Sequence, residues 1–368
     1  MSAKTRVERL RALAAKKGYD AVVIRNNPDL RWLTGAERVF DFELAHTAFI
    51  TQDKLYFHTD SRYYNTFIEK LGDETPWQFD MDDLSHIKFI VEKAKETHSR
   101  YIAIEDTMSL GFYSSLVRAA EDESLHMSFT QLHGDLVEMR AIKDAEEIEI
   151  MRQAQAITDK TFTHMLSVIE IGKSEKELQA ELDNYMYSQG ADALAFDTIV
   201  ASGPNTANPH AMPGSRKVQA GNFVLMDYGA GYRDYCSDMT RTVVIGEPAE
   251  WQKEIYQIVK ETNEACHRAA KPGIKGREIH ELAVKLITEA GYGDYFKHGL
   301  GHGVGIDIHE QPCFGRSDNH TIAPGHVITI EPGIYLPGRG GVRIEDYGVI
   351  TDDGMDIFTS STHELQIL

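Results

Sequence analysis

A chain of 368 residues exceeds the size at which one core usually stops growing, and its 42% hydrophobic and 26% charged residues are those of a globular protein. With 57 acids against 38 bases the formal charge is −19, which argues against nucleic acid or an anionic membrane surface as partner. No apolar run nears the roughly 20 residues of a bilayer span. The first residues lack the apolar core of a secretory leader, and three dispersed cysteines, Cys236, Cys266 and Cys313, form neither a disulfide framework nor a CxxC metal pattern, so a cytoplasmic location is expected.

The chain opens with a predicted helix over 6–17, with Val7, Leu10, Leu13 and Ala14 on one face and Gly18 as its stop. A buried strand, Ala21–Ile24, follows, then a loop over 26–35 with a short helical turn. The runs 48–51 and 54–58 read as a hairpin with a polar turn. Helical patterns over 61–71, 87–96 and 110–120 enclose one more strand, Tyr101–Ile104. Strands alternating with helices indicate a small α/β domain. The pattern changes near residue 136, which sets expected domains of 1–135 and 136–368. A long helix then begins after Asp144, with Glu147 three residues on as in a capping box, and Ser174 with Glu177 opens a second.

From here the order of elements repeats. A helix pair over 144–189 leads to a loop holding Pro209-His210, and then to an apolar run, 223–226, that ends in Asp227 and returns through Asp238. A second pair, 249–268 and 276–290, leads to a Gly- and His-rich loop, 298–312, and then to the run 327–330, which ends in Glu331 and returns through Glu345. Two half-units packed face to face, with a site between them, is the expectation.

Taken singly, each of these acids has a plain explanation. Asp227 precedes a Tyr-Gly turn and Glu331 a Pro-Gly turn, and such acids serve turns; Asp238 reads as a surface strand residue, and His302 as a loop histidine bonded to backbone. Taken together they do not. Four acids at strand ends would repel strongly in one cleft, raising their pKa values, unless cations sit between them. Oxygen ligands with one imidazole suit Mn²⁺, Co²⁺ or Zn²⁺, and a pair of ions can activate a water and polarise a carbonyl. The alternating glycines of 299–305 lack the spacing of a phosphate loop.

The segment His298-Gly-Leu-Gly-His302-Gly-Val-Gly-Ile-Asp-Ile-His309-Glu310-Gln-Pro312, with the order Asp227, Asp238, His302, Glu331, Glu345, resembles the signature of the pita-bread metallopeptidases, in the branch of Xaa-Pro dipeptidases (prolidases) and Xaa-Pro aminopeptidases. The segments Leu33-Thr-Gly35 and Asp60-Ser-Arg-Tyr63 resemble the creatinase-type N-terminal domain, which methionine aminopeptidases generally lack. The resemblance implies an α/β (α+β) architecture: a small creatinase-like N-terminal domain, capping the cleft, and a pita-bread catalytic domain with pseudo-twofold-related halves. It implies two divalent metal ions, manganese first and cobalt or zinc as alternatives. Asp227 would bind one ion, Asp238 and Glu345 would bridge both, and His302 and Glu331 would complete the other. Glu331 would also move the proton, His210 would contact the substrate, and His309 would stabilise the tetrahedral intermediate. His298, Tyr335 and Arg343 are implied at the substrate pocket. The implied substrates are short proline-containing peptides, and the implied assembly is a homodimer. Arg316 is a candidate for the free carboxylate of a dipeptide. The rival functions are a creatinase-like C–N hydrolase and a peptide-binding module of the same fold.

Overall fold

The computed structural model describes residues 2–72, 74–80, 84–123 and 125–368. The chain divides into two compact units, Met1–Arg140 and Ala141–Leu368.

The first unit is a six-stranded mixed sheet with helices. Its elements are α1 (Ala3–Lys17), β1 (Ala21–Ile24), α2 (Asn27–Thr34), β2 (His46–Thr51), β3 (Leu55–Thr59), α3 (Tyr64–Leu71), β4 (Gln78–Asp80), α4 (His86–Glu96), β5 (Tyr101–Ile104), α5 (Leu110–Asp122), β6 (Ser128–Gln131) and α6 (Asp135–Ala141), in sheet order β4-β3-β2-β1-β5-β6. Val23, Phe49, Ile102 and Ile104 pack with Phe89, Ile90 and Leu116 to form one core. The expected short turn in 26–35 is a full helix, α2. Asn26 caps it by accepting from the Asp29 N–H, Pro28 occupies its first turn, and Gly35 ends it in the left-handed region. The helix expected from residue 61 begins only at Tyr64, because the Asp60 carboxylate first closes a turn on the Arg62 N–H. Strands β4 and β6 escape the sequence pattern: both are short sheet edges without a fully buried residue.

The second unit begins with α7 (Ala145–Val168) and α8 (Glu175–Ser188), and both expected capping boxes are present. The Asp144 carboxylate accepts from the Glu146 and Glu147 N–H groups, while Glu147 accepts from the Asp144 N–H. Met151, Ala154, Ile157 and Phe162 form the buried face of α7. Then come β7 (Ala193–Leu194), β8 (Ile199–Ser202), β9 (Phe223–Tyr228), β10 (Ala230–Tyr232), β11 (Tyr235–Cys236) and β12 (Met239–Val244). The pattern restarts with α9 (Glu250–Ala269) and α10 (Gly276–Glu289), followed by β13 (Gly301–Gly303), β14 (Glu310–Phe314), β15 (Val327–Ile330), β16 (Gly333–Leu336), β17 (Gly340–Arg343), β18 (Asp346–Ile350) and β19 (Met355–Ile357).

The two halves repeat a specific construction. In the first, β9 and β12 form an antiparallel ladder, and the chain between them leaves the ladder for the β10–β11 ribbon. In the second, β15 and β18 form the ladder, and the chain between them forms the β16–β17 ribbon. Each half therefore places one acid at the end of the outgoing strand, Asp227 or Glu331, and one just before the returning strand, Asp238 or Glu345. This is the pita-bread arrangement with pseudo-twofold-related halves. The apolar faces behind the ladders are buried, Val224, Met226 and Tyr228 under α7 and α8, and Ile328 and Ile330 under α9 and α10. Among the described residues no helix is long and apolar enough to cross a membrane.

Candidate metal centre

Acids at ladder ends converge because the ladders do. Thr240 stands opposite Asp227 in the β9–β12 register, and its hydroxyl donates to Glu345 Oε2 at 2.6 Å. The Glu345 N–H donates to the Thr240 carbonyl at 3.1 Å, so the acid pairs of the two halves are tied directly. The result is a cavity of about 400 Å³ whose wall includes Asp227, Asp238, His302, Glu331 and Glu345, with His210, His298, His309 and Arg343 around them.

His302 is not in a loop, as the glycine content suggests. It lies in strand β13, beside β15. Gly301 permits this approach, since a Cβ there would stand 2.2 Å from the Thr329 carbonyl oxygen. Gly305 serves the same end, because a Cβ would meet the Glu310 carboxylate at 2.5 Å. That carboxylate accepts from Lys143 Nζ at 2.7 Å in an ion pair only 1% and 5% exposed, which fixes the residue next to His309. The glycines thus serve close packing of protein on protein.

His302 Nδ1 donates to the Gly303 carbonyl at 3.0 Å, which leaves Nε2 as the bare nitrogen, 3.6 Å from both Asp238 Oδ2 and Glu331 Oε1. Burial holds this imidazole down to about 4, so it is neutral, as a ligand must be. Burial also raises the Asp238 and Glu345 carboxyls well above the usual range, and their carboxylate neighbours push the same way. Glu331 is pushed up to about 8 by burial, with Arg343 opposing and Asp227 adding. Ligand atoms of Asp238, His302 and Glu345 all lie within 4.8 Å of one another, and Asp227 Oδ1 is buried with no hydrogen-bond partner. Crowded buried acids, a bare imidazole nitrogen and an unsatisfied carboxylate oxygen are a donor set that fits divalent cations.

This crowding has a sign that can be measured. Without metal, the folded chain keeps the Glu331 proton up to about pH 8, whereas the unfolded chain loses it near the ordinary 4.5. Its contribution to stability is therefore complete below the lower value and is lost as pH rises through the upper, at about 1.4 kcal/mol per pH unit for one such carboxyl. His302 and other buried imidazoles held low work in the opposite direction over the same range, so the measurement is a comparison of chelated wild type with Glu331→Gln. Between about pH 5.5 and about pH 7.5 the wild-type unfolding midpoint is expected to change less favourably than that of the variant, and identical pH profiles would contradict the crowding at Glu331.

Around the acids the positions are specific. Arg343 Nη2 donates to Asp227 Oδ2 at 2.6 Å, its Nε to Thr240 Oγ1 at 3.0 Å, and its Nη1 to the Tyr335 hydroxyl at 2.9 Å. Tyr335 in turn donates to His298 Nε2 at 2.9 Å, since His298 Nδ1 donates to the Gly299 carbonyl. Tyr335 is buried and is not among the cavity's lining residues; it acts behind the wall, through Arg343 and His298. The ring of His309 stands 4.3 Å from that of His302, and His210 lines the cavity from the segment after β8. Arg316 is exposed and does not line the cavity. Three lining residues escape the sequence reading, Phe196, Asp197 and Ile199; the signal for them is that Ile199 faces Asp227 across the β8–β9 ladder. Thr240 also escapes it, although the Asp-x-Thr spacing puts both side chains on one strand face.

A sequence model of metallopeptidase family M24 matches residues 149–352, more than half of the chain. The chain belongs to metallopeptidase family M24. Residues 6–142 match the creatinase/prolidase N-terminal domain. A relative of this M24 chain, the Xaa-Pro dipeptidase of Pyrococcus horikoshii, is 37% identical over 98% of both chains. A solved Xaa-Pro dipeptidase from Bacillus anthracis superposes with a TM-score of 0.92 at 37% identity, covering 100% of both. A solved X-Pro aminopeptidase from Thermotoga maritima gives 0.89 at 33% identity, covering 98% of this chain and 99% of the other.

Proposed function

We propose that this M24 member is a two-metal exopeptidase that hydrolyses the bond between an N-terminal residue and proline, in Xaa-Pro dipeptides or Xaa-Pro-initiated peptides. The observation that carries the reading is the convergence of Asp227, Asp238, His302, Glu331 and Glu345 on one cavity, in a chain whose relatives include an Xaa-Pro dipeptidase and an X-Pro aminopeptidase. Those five residues would hold the ions, with Asp238 and Glu345 shared between them, Asp227 on one side and His302 with Glu331 on the other. Manganese is the preferred metal, with cobalt or zinc as alternatives. When bound, the metals lower the pKa of a water and polarise the scissile carbonyl.

The chain's own residues do the rest. Glu331, as the carboxylate that helps to hold the metal, would take the proton of the attacking water and pass it to the proline nitrogen. His210 and His309 both line the cavity; His210 would contact the substrate, and His309 would donate to the carbonyl oxygen as charge develops on it. Arg343 holds Asp227 in place, and Tyr335 and His298 brace Arg343. Three free cysteines, two of them buried, suit a reducing cytoplasm, and a homodimer is proposed with it. Relatives that are peptidases argue against a creatinase-like or purely binding role.

Chelation is expected to lower Leu-Pro hydrolysis at least a hundredfold, with Mn²⁺ restoring it. Leu-Pro and Leu-Pro-Gly are to be compared with Leu-Ala. Cleavage of Leu-Ala at a similar rate would overturn the proline reading, and activity surviving complete metal removal would overturn the two-metal reading.

A further inference from the structure

His210 sits in a segment with little core of its own. Between β8 and β9 the chain makes one 3-10 turn, Gly203–Ala207, and then runs through Asn208, His210 and Met212, all exposed. Something outside the segment must fix where His210 stands, because ordering a backbone residue costs about 1–2 kcal/mol.

The ties are few and their pattern is informative. Thr206 Oγ1 accepts from the Gly341 N–H at 2.7 Å, and the Pro209 carbonyl accepts from Arg343 Nη1 at 3.3 Å. Both hold the segment from the β17 side. The other anchor is Glu175, in the first turn of α8, fully buried. Its Oε1 accepts from the Ser202 N–H at 2.8 Å, the Ser202 hydroxyl at 3.1 Å and Asn205 Nδ2 at 2.9 Å. Its Oε2 accepts from the Gly214 N–H at 3.0 Å. One carboxylate thus grips both ends of the segment. The adjacent backbone locks to it as well, with the Lys176 N–H donating to the Gly214 carbonyl and the Glu175 N–H to that of Arg216.

A carboxylate buried without a cation is stable only when its lone pairs are used. Among the described residues no Lys or Arg pairs with Glu175; four neutral donors fill it instead. A glutamine has the same shape but carries only one acceptor oxygen. With that oxygen kept on the three donors at Ser202 and Asn205, its amide N–H would face the N–H of Gly214, and the exit end would be released.

We propose that Glu175 is a positioning residue for hydrolysis: by clamping both ends of the 202–214 segment, it holds His210 at the cavity wall. The proposal rests on the reading of His210 as a substrate contact. Its test is a double-mutant cycle on the metal-loaded full chain, with kcat and KM for Leu-Pro, metal content and amide exchange measured for His210→Ala, Glu175→Gln and the pair. His210→Ala is expected to lower kcat/KM about a hundredfold. Glu175→Gln is expected to give a loss of the same order, with metal content unchanged, and the pair no further loss beyond about threefold. Amide exchange is expected to quicken across 202–214 and nowhere else. Should Glu175→Gln keep wild-type kcat/KM while His210→Ala does not, or should the two losses multiply, the proposal fails. Should His210→Ala be fully active, the role of His210 fails instead; quickened exchange in Glu175→Gln then still upholds the clamp, and unchanged exchange overturns it.

Discussion

Glu331→Gln is expected to lower kcat for Xaa-Pro hydrolysis by about a hundredfold to ten-thousandfold, the usual span for a lost proton-transfer group. The substitution is nearly isosteric, so β15, the Thr329 contact and the Arg343 neighbourhood should keep their packing. It removes the one carboxyl of the four that lies beside the bare His302 nitrogen and is still partly open to the cavity, 17% exposed against 5% for Asp238. Circular dichroism and unfolding midpoint should be near wild type. A variant with wild-type kcat would remove Glu331 from the chemistry, whatever its part in holding metal.

The second large effect is on stability. Arg241 and Asp346 form an ion pair with side chains 1% and 0% exposed. Arg241 Nη2 donates to Asp346 Oδ1 and to the Ser361 carbonyl, Nη1 to the carbonyls of Thr240 and Glu345, and Nε to that of Thr362. Burial works to raise the Asp346 carboxyl, but Arg241 and the hydrogen bond from His363 hold it below the usual carboxylate range. Removing the arginine strands a buried charge, so Arg241→Leu is expected to cost about 3–5 kcal/mol. For a unit of this size that is roughly 10 °C in unfolding midpoint. Adding Asp346→Leu should recover part of the loss, since the stranded charge goes with it. A single variant as stable as wild type would contradict the account. The pair also grips the Glu345 backbone, so the single variant should lose activity in step.

Much of this architecture is legible in the sequence. The capping boxes of α7 and α8 announce themselves because the cap and its partner are three residues apart. The acids at ladder ends stand out because a carboxylate terminating an apolar strand needs a partner. What is not legible is what depends on long-range pairing. His302 lies in β13 because β14 and β15 flank it, and nothing local in a run of alternating glycines says so. Ile199 and Phe196 reach the cavity only through the β8–β9 register. Tyr335 and Arg343 are visible as residues, yet their order of action, tyrosine behind arginine behind aspartate, depends on the packing of two halves. Short polar edges such as β4 and β6 carry no buried alternation, so no period marks them.

The Lys143–Glu310 pair has a practical consequence for anyone wishing to prepare the catalytic half alone. The stretch matched to the M24 family begins at residue 149, and a fragment cut there, or at the start of α7, would look complete on paper. It would nonetheless lack the ammonium group that neutralises Glu310, one residue from His309. In such a fragment the Glu310 carboxylate would keep the Asp307 N–H but lose its buried ammonium partner. The minimal excisable piece therefore starts before Lys143, ahead of the stretch matched to the family but within the domain of 136–368 expected from the sequence.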